Sequence, residues 1–214
     1  MARHAPRKRA VVSGPGPLAR PASVSSRTVV LIGLAWLLVA IAVGAAGIAR
    51  TWPPPVVIAV LTAAVLAAGW LLPRFRAWLG GLDLRWLVAF HLTRFVGFYF
   101  LYLYGRGQLP YDFAVPGGWG DIAVASLAIV LLLIGPPRDG GRRVAYAVWN
   151  VLGLVDILFV VVTAVRLGGA DPASMAALQR LPLNLLPPFL VPLIIATHVI
   201  LGVRLARGRR PRGA

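Results

Sequence analysis

The sequence predicts an all-α polytopic membrane protein: a bundle of six transmembrane helices with both termini in the cytoplasm (N-in/C-in). Three observations carry that prediction. Of 214 residues, 59% are hydrophobic and only 13% are charged, against ~25% charged in a typical soluble domain. Mean hydropathy is +0.81. The remaining charge is one-sided, 22 Lys and Arg against 6 Asp and Glu, and it falls almost entirely between the apolar runs.

A helix rises about 1.5 Å per residue, so ~20 apolar residues cross a ~30 Å hydrocarbon core. Residues 1–27 are basic and rich in Pro, Gly and Ser, the composition of a disordered cytoplasmic tail. The membrane domain then covers 28–207, with spans at about 29–49, 53–72, 84–104, 121–137, 144–166 and 185–204. The fourth is the shortest and is expected to be tilted or partly re-entrant. Residues 208–214 form a second basic cytoplasmic tail.

Orientation follows from the basic residues, which stay on the cytoplasmic side. Six spans place the two tails and the loops after spans two and four on one face, and 17 of the 22 basic residues fall there. Only Arg50, Arg106, Arg166 and Arg180 fall on the other, and Arg94 lies inside the third span. The +16 charge is therefore a topology signal that meets anionic lipid head groups, and nucleic acid is not a partner. Trp52, Trp119, Tyr102, Tyr104 and Tyr111 suit an outer aromatic belt, and Trp70, Trp78 and Trp86 an inner one.

The residues that are missing exclude much chemistry. Without cysteine there are no disulfides, thiolate metal sites, Cys nucleophiles or covalently attached haem. Lys8 is the only lysine, so neither a P-loop nor a Schiff-base lysine in the membrane domain is available. No His-Glu-x-x-His occurs.

Polar residues inside spans cost about 2.5–3.5 kcal/mol each on insertion scales when charged, so they are the functional clues. Arg94 lies 11 residues beyond Asp83 and Asp156 lies 14 beyond Arg142, depths of ~16 and ~21 Å. Arginine spans that difference, which predicts an Arg94–Asp156 ion pair, either a register-fixing pair or the floor of an outward-opening cavity. His91, Asn150 and His198 share a level ~9–12 Å from the inner face. Two histidines on different spans could ligate haem b axially, relay protons or bind another metal. The bland alternative is that each hydrogen-bonds a neighbouring helix. Residues 105–121, rich in Gly, Pro and aromatics, read as a loop before the short fourth span, and such segments often line binding sites. There Asp121 reads first as a helix N-cap and Asp112 as a turn residue; both are also candidate ligand contacts. Pro192 predicts a kink above His198.

At Gly107-Gln108-Leu109-Pro110, Phe113-Ala114-Val115-Pro116, Gly118-Trp119-Gly120-Asp121, Trp149-Asn150 through Asp156, and Pro187 through Pro192 followed by His198, the chain resembles a family of small bacterial multi-pass membrane proteins. The resemblance covers about residues 86–204 and leaves out the first two spans. It implies a bacterial cytoplasmic (plasma) membrane location and, as the family has no assigned activity, no catalytic residues.

The leading expectation is a membrane module that binds or moves a small or lipid-like ligand in an outward-facing polar cavity, with Arg94, Asn150, Asp156, Asp112 and Asp121 as contacts. The alternative is a haem b redox protein using His91 and His198. A lipid enzyme with Asp112 or Asp121 as acid or metal ligand has no paired-carboxylate or His/Asp spacing behind it, so the reading leans away from an enzyme. The absence of native cysteine makes orientation directly testable. A single cysteine replacing Arg106 should react with a membrane-impermeant maleimide in intact cells, and one replacing Arg138 should react only after lysis; the reverse pattern inverts the topology.

Overall fold

The computed structural model describes residues 23–208; the basic tails expected over 1–27 and 208–214 lie largely outside them. Helix dominates, and no strand occurs among the described residues. The helices are α1 (Ser26–Ala45), α2 (Pro54–Leu71), α3 (Pro73–Gly81), α4 (Leu84–Phe90), α5 (Gly97–Gly105), α6 (Tyr111–Ile134), α7 (Gly140–Ala170) and α8 (Val191–Arg207). Six stretches are long and apolar enough to cross a membrane. These are α1, α2, α4 with α5 as one span over Leu84–Gly105, α6, α7, and a sixth over Leu183–Arg207.

Local chemistry sets the helix starts. Ser25, Asp83 and Asp139 each accept a backbone N–H of the first turn of α1, α4 and α7, which satisfies donors that a helix leaves open. Prolines open α2 and α3, where their missing N–H is harmless. Gly135, with φ of 85°, closes α6 in a conformation that other residues adopt only under strain. The short α3, carrying Arg74, Arg76 and Trp78, stands where a plain loop was expected.

The terminal end of the bundle is identifiable from its contacts. Val24 hydrogen-bonds to Arg74, Arg204 reaches the carbonyls of Leu82 and Gly80, and Arg143 reaches those of Leu205 and Gly208. Arginine thus satisfies helix carbonyls that have no partner within their own helix. One apolar core lies toward this end, built on Leu87, Val88, Val124, Ala128, Tyr146, Trp149 and Leu201. A second, toward the opposite end, is built on Phe100, Leu103, Phe113, Val160, Met175 and Leu183. Along their helices His91, Arg94, Asp121, Asn150, Asp156 and His198 fall between the two.

Three expectations change. The fourth span begins at Tyr111, not near residue 121, so most of the Gly/Pro stretch is helix, with Pro116 inside it. Small residues explain this: Gly117 and Gly118 are buried where α6 meets its neighbours, so packing outweighs their poor helix propensity. Trp119 consequently sits about 12 Å along the helix, by its rise, and not at its start. In the sixth span the irregularity precedes Pro192. Leu183–Leu185 is a 3₁₀ turn, Leu186–Leu190 is a π-helical turn holding Pro187 and Pro188, and Pro192 falls in the first turn of α8, where proline is tolerated.

The first span is peripheral. Its side-chain hydrogen bonds to the rest of the bundle are Trp36 Nε1 to the Pro188 carbonyl at 2.9 Å, with the ring edge-on to Phe189, Trp78 Nε1 to Ser26 Oγ at 3.0 Å, and Asn184 to the Gly44 carbonyl. Ala40 and Gly44, four residues apart on α1, are buried, whereas Ala63 and Ala67, with the same spacing on α2, are exposed.

Candidate functional site

The third span is not one regular helix. Between α4 and α5, residues His91–Val96 form a 3₁₀ segment, in which side chains three apart eclipse each other. His91 and Arg94 are such a pair, and both are fully buried. The tighter winding aims both into the bundle.

Arg94 is the centre of an ionic cluster. Its Nε donates to Asp121 Oδ1 at 2.6 Å, one terminal nitrogen donates to the Gly153 carbonyl at 2.8 Å, and the other to Asp156 Oδ2. The expected Arg94–Asp156 pair is therefore present, and Asp121 joins it. This corrects the N-cap reading of Asp121: it lies in the middle of α6, buried, with its carboxylate on the guanidinium. The N-cap pattern misled because the preceding glycines mimic a helix boundary. Their role is clearance. A Cβ on Gly120 would collide with Asp156, and one on Gly97 with the Gly118 carbonyl and with Asp121. Each arm of the fork reaches a hydrogen-bond acceptor, as a guanidinium taken out of water requires. One guanidinium faces two carboxylates, so the cluster carries a formal charge of −1 when both are ionised.

Next to it lies a histidine layer. The rings of His91 and His198 are 4.1 Å apart between centroids, and both meet Trp149. His198 Nδ1 pairs with Asn150 Oδ1 at 3.0 Å, so that nitrogen carries the proton. His91 Nε2 pairs with Thr197 Oγ1 at 3.2 Å; as that hydroxyl also donates to backbone carbonyls, the imidazole is the donor. These assignments leave His91 Nδ1 and His198 Nε2 as buried acceptors without a partner. Gly153 joins the two layers, because its carbonyl holds Arg94 and a Cβ there would lie 2.6 Å from His198 Cε1.

A shared level did not by itself make the histidines meet, but they do, and with ring centroids 4.1 Å apart their arrangement does not fit an axial haem pair. Axial imidazoles lie on opposite faces of a porphyrin, with the macrocycle between them; rings in mutual contact leave no slot for it. No group of three or more His, Asp or Glu suited to a metal occurs among the described residues.

The five expected ligand contacts do not converge. Arg94, Asp121 and Asp156 form one cluster and Asn150 belongs to the histidine layer. Asp112 is exposed in the first turn of α6, where a carboxylate complements the helix dipole. The principal cavities lie elsewhere. One of about 370 Å3 is bounded by α2, α7 and the segment 175–191, lined by Ile58, Phe113, Val160, Ala164, Met175 and Leu186 among others. It is apolar, contrary to the polar cavity expected from the charged residues, and neither Arg94, Asp121 nor Asp156 lines it. Sequence reasoning missed this site because its walls are ordinary apolar residues; its only signal was the run of prolines after Arg180. A second cavity, of about 140 Å3, shares Pro54, Leu178, Gln179 and Pro187 with the first. A third, of about 200 Å3 near the terminal end, reaches Asn150 beside Arg143.

Over residues 52–206 the chain matches the family described as a domain of unknown function, DUF8737, and it belongs to that family. The match takes in the second span and leaves out the first. No curated protein and no solved structure matches the chain.

Two outcomes test this site. Arg94→Leu strands the buried carboxylate of Asp121 and the partly buried one of Asp156 and should destabilise the protein by about 3–5 kcal/mol. Asp156→Asn keeps a hydrogen-bond acceptor for the guanidinium and takes the cluster from a formal charge of −1 to neutral, so it should be much milder; thermal unfolding in detergent ranks the two. Protein purified from haem-replete cells should show no Soret band, and a stoichiometric band that disappears in His198→Ala would restore the haem reading.

Proposed function

We propose that this DUF8737 member is an integral protein of a bacterial cytoplasmic membrane, with both termini inside, that binds a small lipid-like molecule in the apolar cavity between α2, α7 and residues 175–191. The cavity itself carries this reading. Its volume of about 370 Å3 falls in the range of small-molecule sites, ~300–1,000 Å3, and its walls are almost wholly apolar. By the distribution of arginines it lies at the outer end of the bundle.

In this reading the ionic cluster is a positioning device and not a ligand contact. Asp156 is one helical turn from Val160, which lines the cavity, so fixing Asp156 fixes the rotation of α7 and with it the cavity wall. Phe113, also on the wall, lies on the helix that Asp121 anchors. The His91–His198 layer holds α4, α7 and α8 at one level in the same way. The basic residues of the inner face meet anionic lipid head groups.

Occupancy of the cavity is measurable without knowing the natural ligand. A long-chain diazirine-bearing alcohol, photoactivated in nanodiscs, should label residues of α2, α7 and 175–191. Ala164→Trp, which fills the chamber, should cut that labelling by about tenfold, the effect of losing burial worth ~1.4 kcal/mol, while the melting temperature stays near that of the parent. Labelling that is indifferent to the substitution removes this reading.

A further inference from the structure

The apolar chamber has a polar neck, and the neck specifies the head group of what binds. The smaller cavity of about 140 Å3 adjoins the chamber through their shared walls Pro54, Leu178, Gln179 and Pro187. It is lined in addition by Trp52, Gly44 and Asn184. Asn184 is 7% exposed. Its Nδ2 donates to the Gly44 carbonyl at 3.1 Å, which fixes the amide orientation, since a carbonyl accepts only from the nitrogen. Among the described residues its Oδ1 has no hydrogen-bond partner.

A buried amide oxygen left without a donor has given up its water for nothing in return, so the neck is an acceptor awaiting a donor. Among the described residues no Lys, Arg, Asp or Glu lines either cavity, so an ionised head group would lose its water there without a counter-charge from them. Apolar chamber and acceptor neck together describe one shape of ligand. We infer that the site takes an uncharged amphiphile, with its aliphatic chain in the chamber and a hydroxyl or amide N–H donating to Asn184 Oδ1. This rests on the chamber being a lipid-like binding site and adds the identity of the head group.

Gly44 makes the neck possible. A Cβ at that position would lie 3.0 Å from both Asn184 Nδ2 and Asn184 Oδ1, so a larger residue would push the amide off its anchor. The same contact ties α1 to the 3₁₀ turn Leu183–Leu185, and the head group therefore docks where the first span joins the bundle. That span lies outside the family match, whereas Asn184, Gln179 and the chamber lie within it. Trp52, half exposed at the edge of the neck, suits a boundary where an apolar chain meets a polar head.

The test compares three photoreactive probes of equal chain length on the full chain in nanodiscs: a long-chain alcohol, its methyl ether and the corresponding carboxylate. The alcohol is expected to label the chamber residues about tenfold more efficiently than the ether, the factor for one donated hydrogen bond, and the carboxylate at neutral pH should label least. In Asn184→Leu the alcohol-to-ether ratio should fall to near one. Because Asn184 also anchors Gly44, the comparison on the parent protein stands without any variant. Equal labelling by alcohol and ether overturns the head-group inference and leaves the chamber reading intact. A ratio that persists in Asn184→Leu overturns the role of Asn184. Failure of all three probes to reach the chamber removes both readings.

Discussion

The bundle depends on one guanidinium. Arg94 lies fully buried in a span that must cross an apolar solvent, where an unpaired charge is among the costliest things a chain can carry. It is tolerated because each arm of its fork ends on a different acceptor, on α6 and at two places on α7. Each of those acceptors is fixed by its helix rotation. Rotating α6 or α7 by one residue would move a carboxylate about 100° away from the guanidinium, given 3.6 residues per turn. In a membrane, where apolar helix faces pack almost as well against lipid as against each other, such polar contacts set rotation and register that burial alone leaves loose.

Glycine makes that cluster sterically possible. Gly97, Gly118, Gly120 and Gly153 lie where helices approach so closely that a methyl group would meet a backbone carbonyl, a carboxylate or an imidazole. Gly153 serves twice, accepting from Arg94 through its carbonyl and leaving room for the His198 ring. Close approach and ion pairing therefore depend on each other, and the histidine layer extends the arrangement to α8. The sixth span can then afford irregular backbone at residues 183–190, because the regular part of it is pinned lower down by His198 and Thr197. Irregular backbone at that depth is tolerated where it faces protein or a cavity, and here it borders the apolar chamber and its neck.

The chain reports some of this directly and hides the rest. Arg94 and Asp156 were recognisable as partners because two charges in apolar runs at similar depth have few alternatives. The shared level of His91, Asn150 and His198 followed from counting residues at constant rise. Asp121 was not recognisable, since Gly-Trp-Gly-Asp has the composition of a loop and a cap, and only burial of those glycines against α5 and α7 makes it helix. The 3₁₀ winding of His91–Val96 has no proline to announce it. The chamber has no motif at all: Val160, Ala164 and Leu186 would read the same whether they met each other or surrounded a space.

Composition and hydropathy alone fix how many stretches are long and apolar enough to cross a bilayer and which few polar residues lie inside them. Those properties are sums over consecutive residues, and hydropathy adds along the chain whatever the helices do in space. Helix packing alone settles that Arg94 serves two carboxylates, that the imidazoles touch each other, and that the largest open space lies between apolar walls and not at the Arg94 cluster. Each of these depends on helix rotation and on how far apart two backbones stand. An error of one residue in rotation changes every partner while leaving the composition of the span untouched.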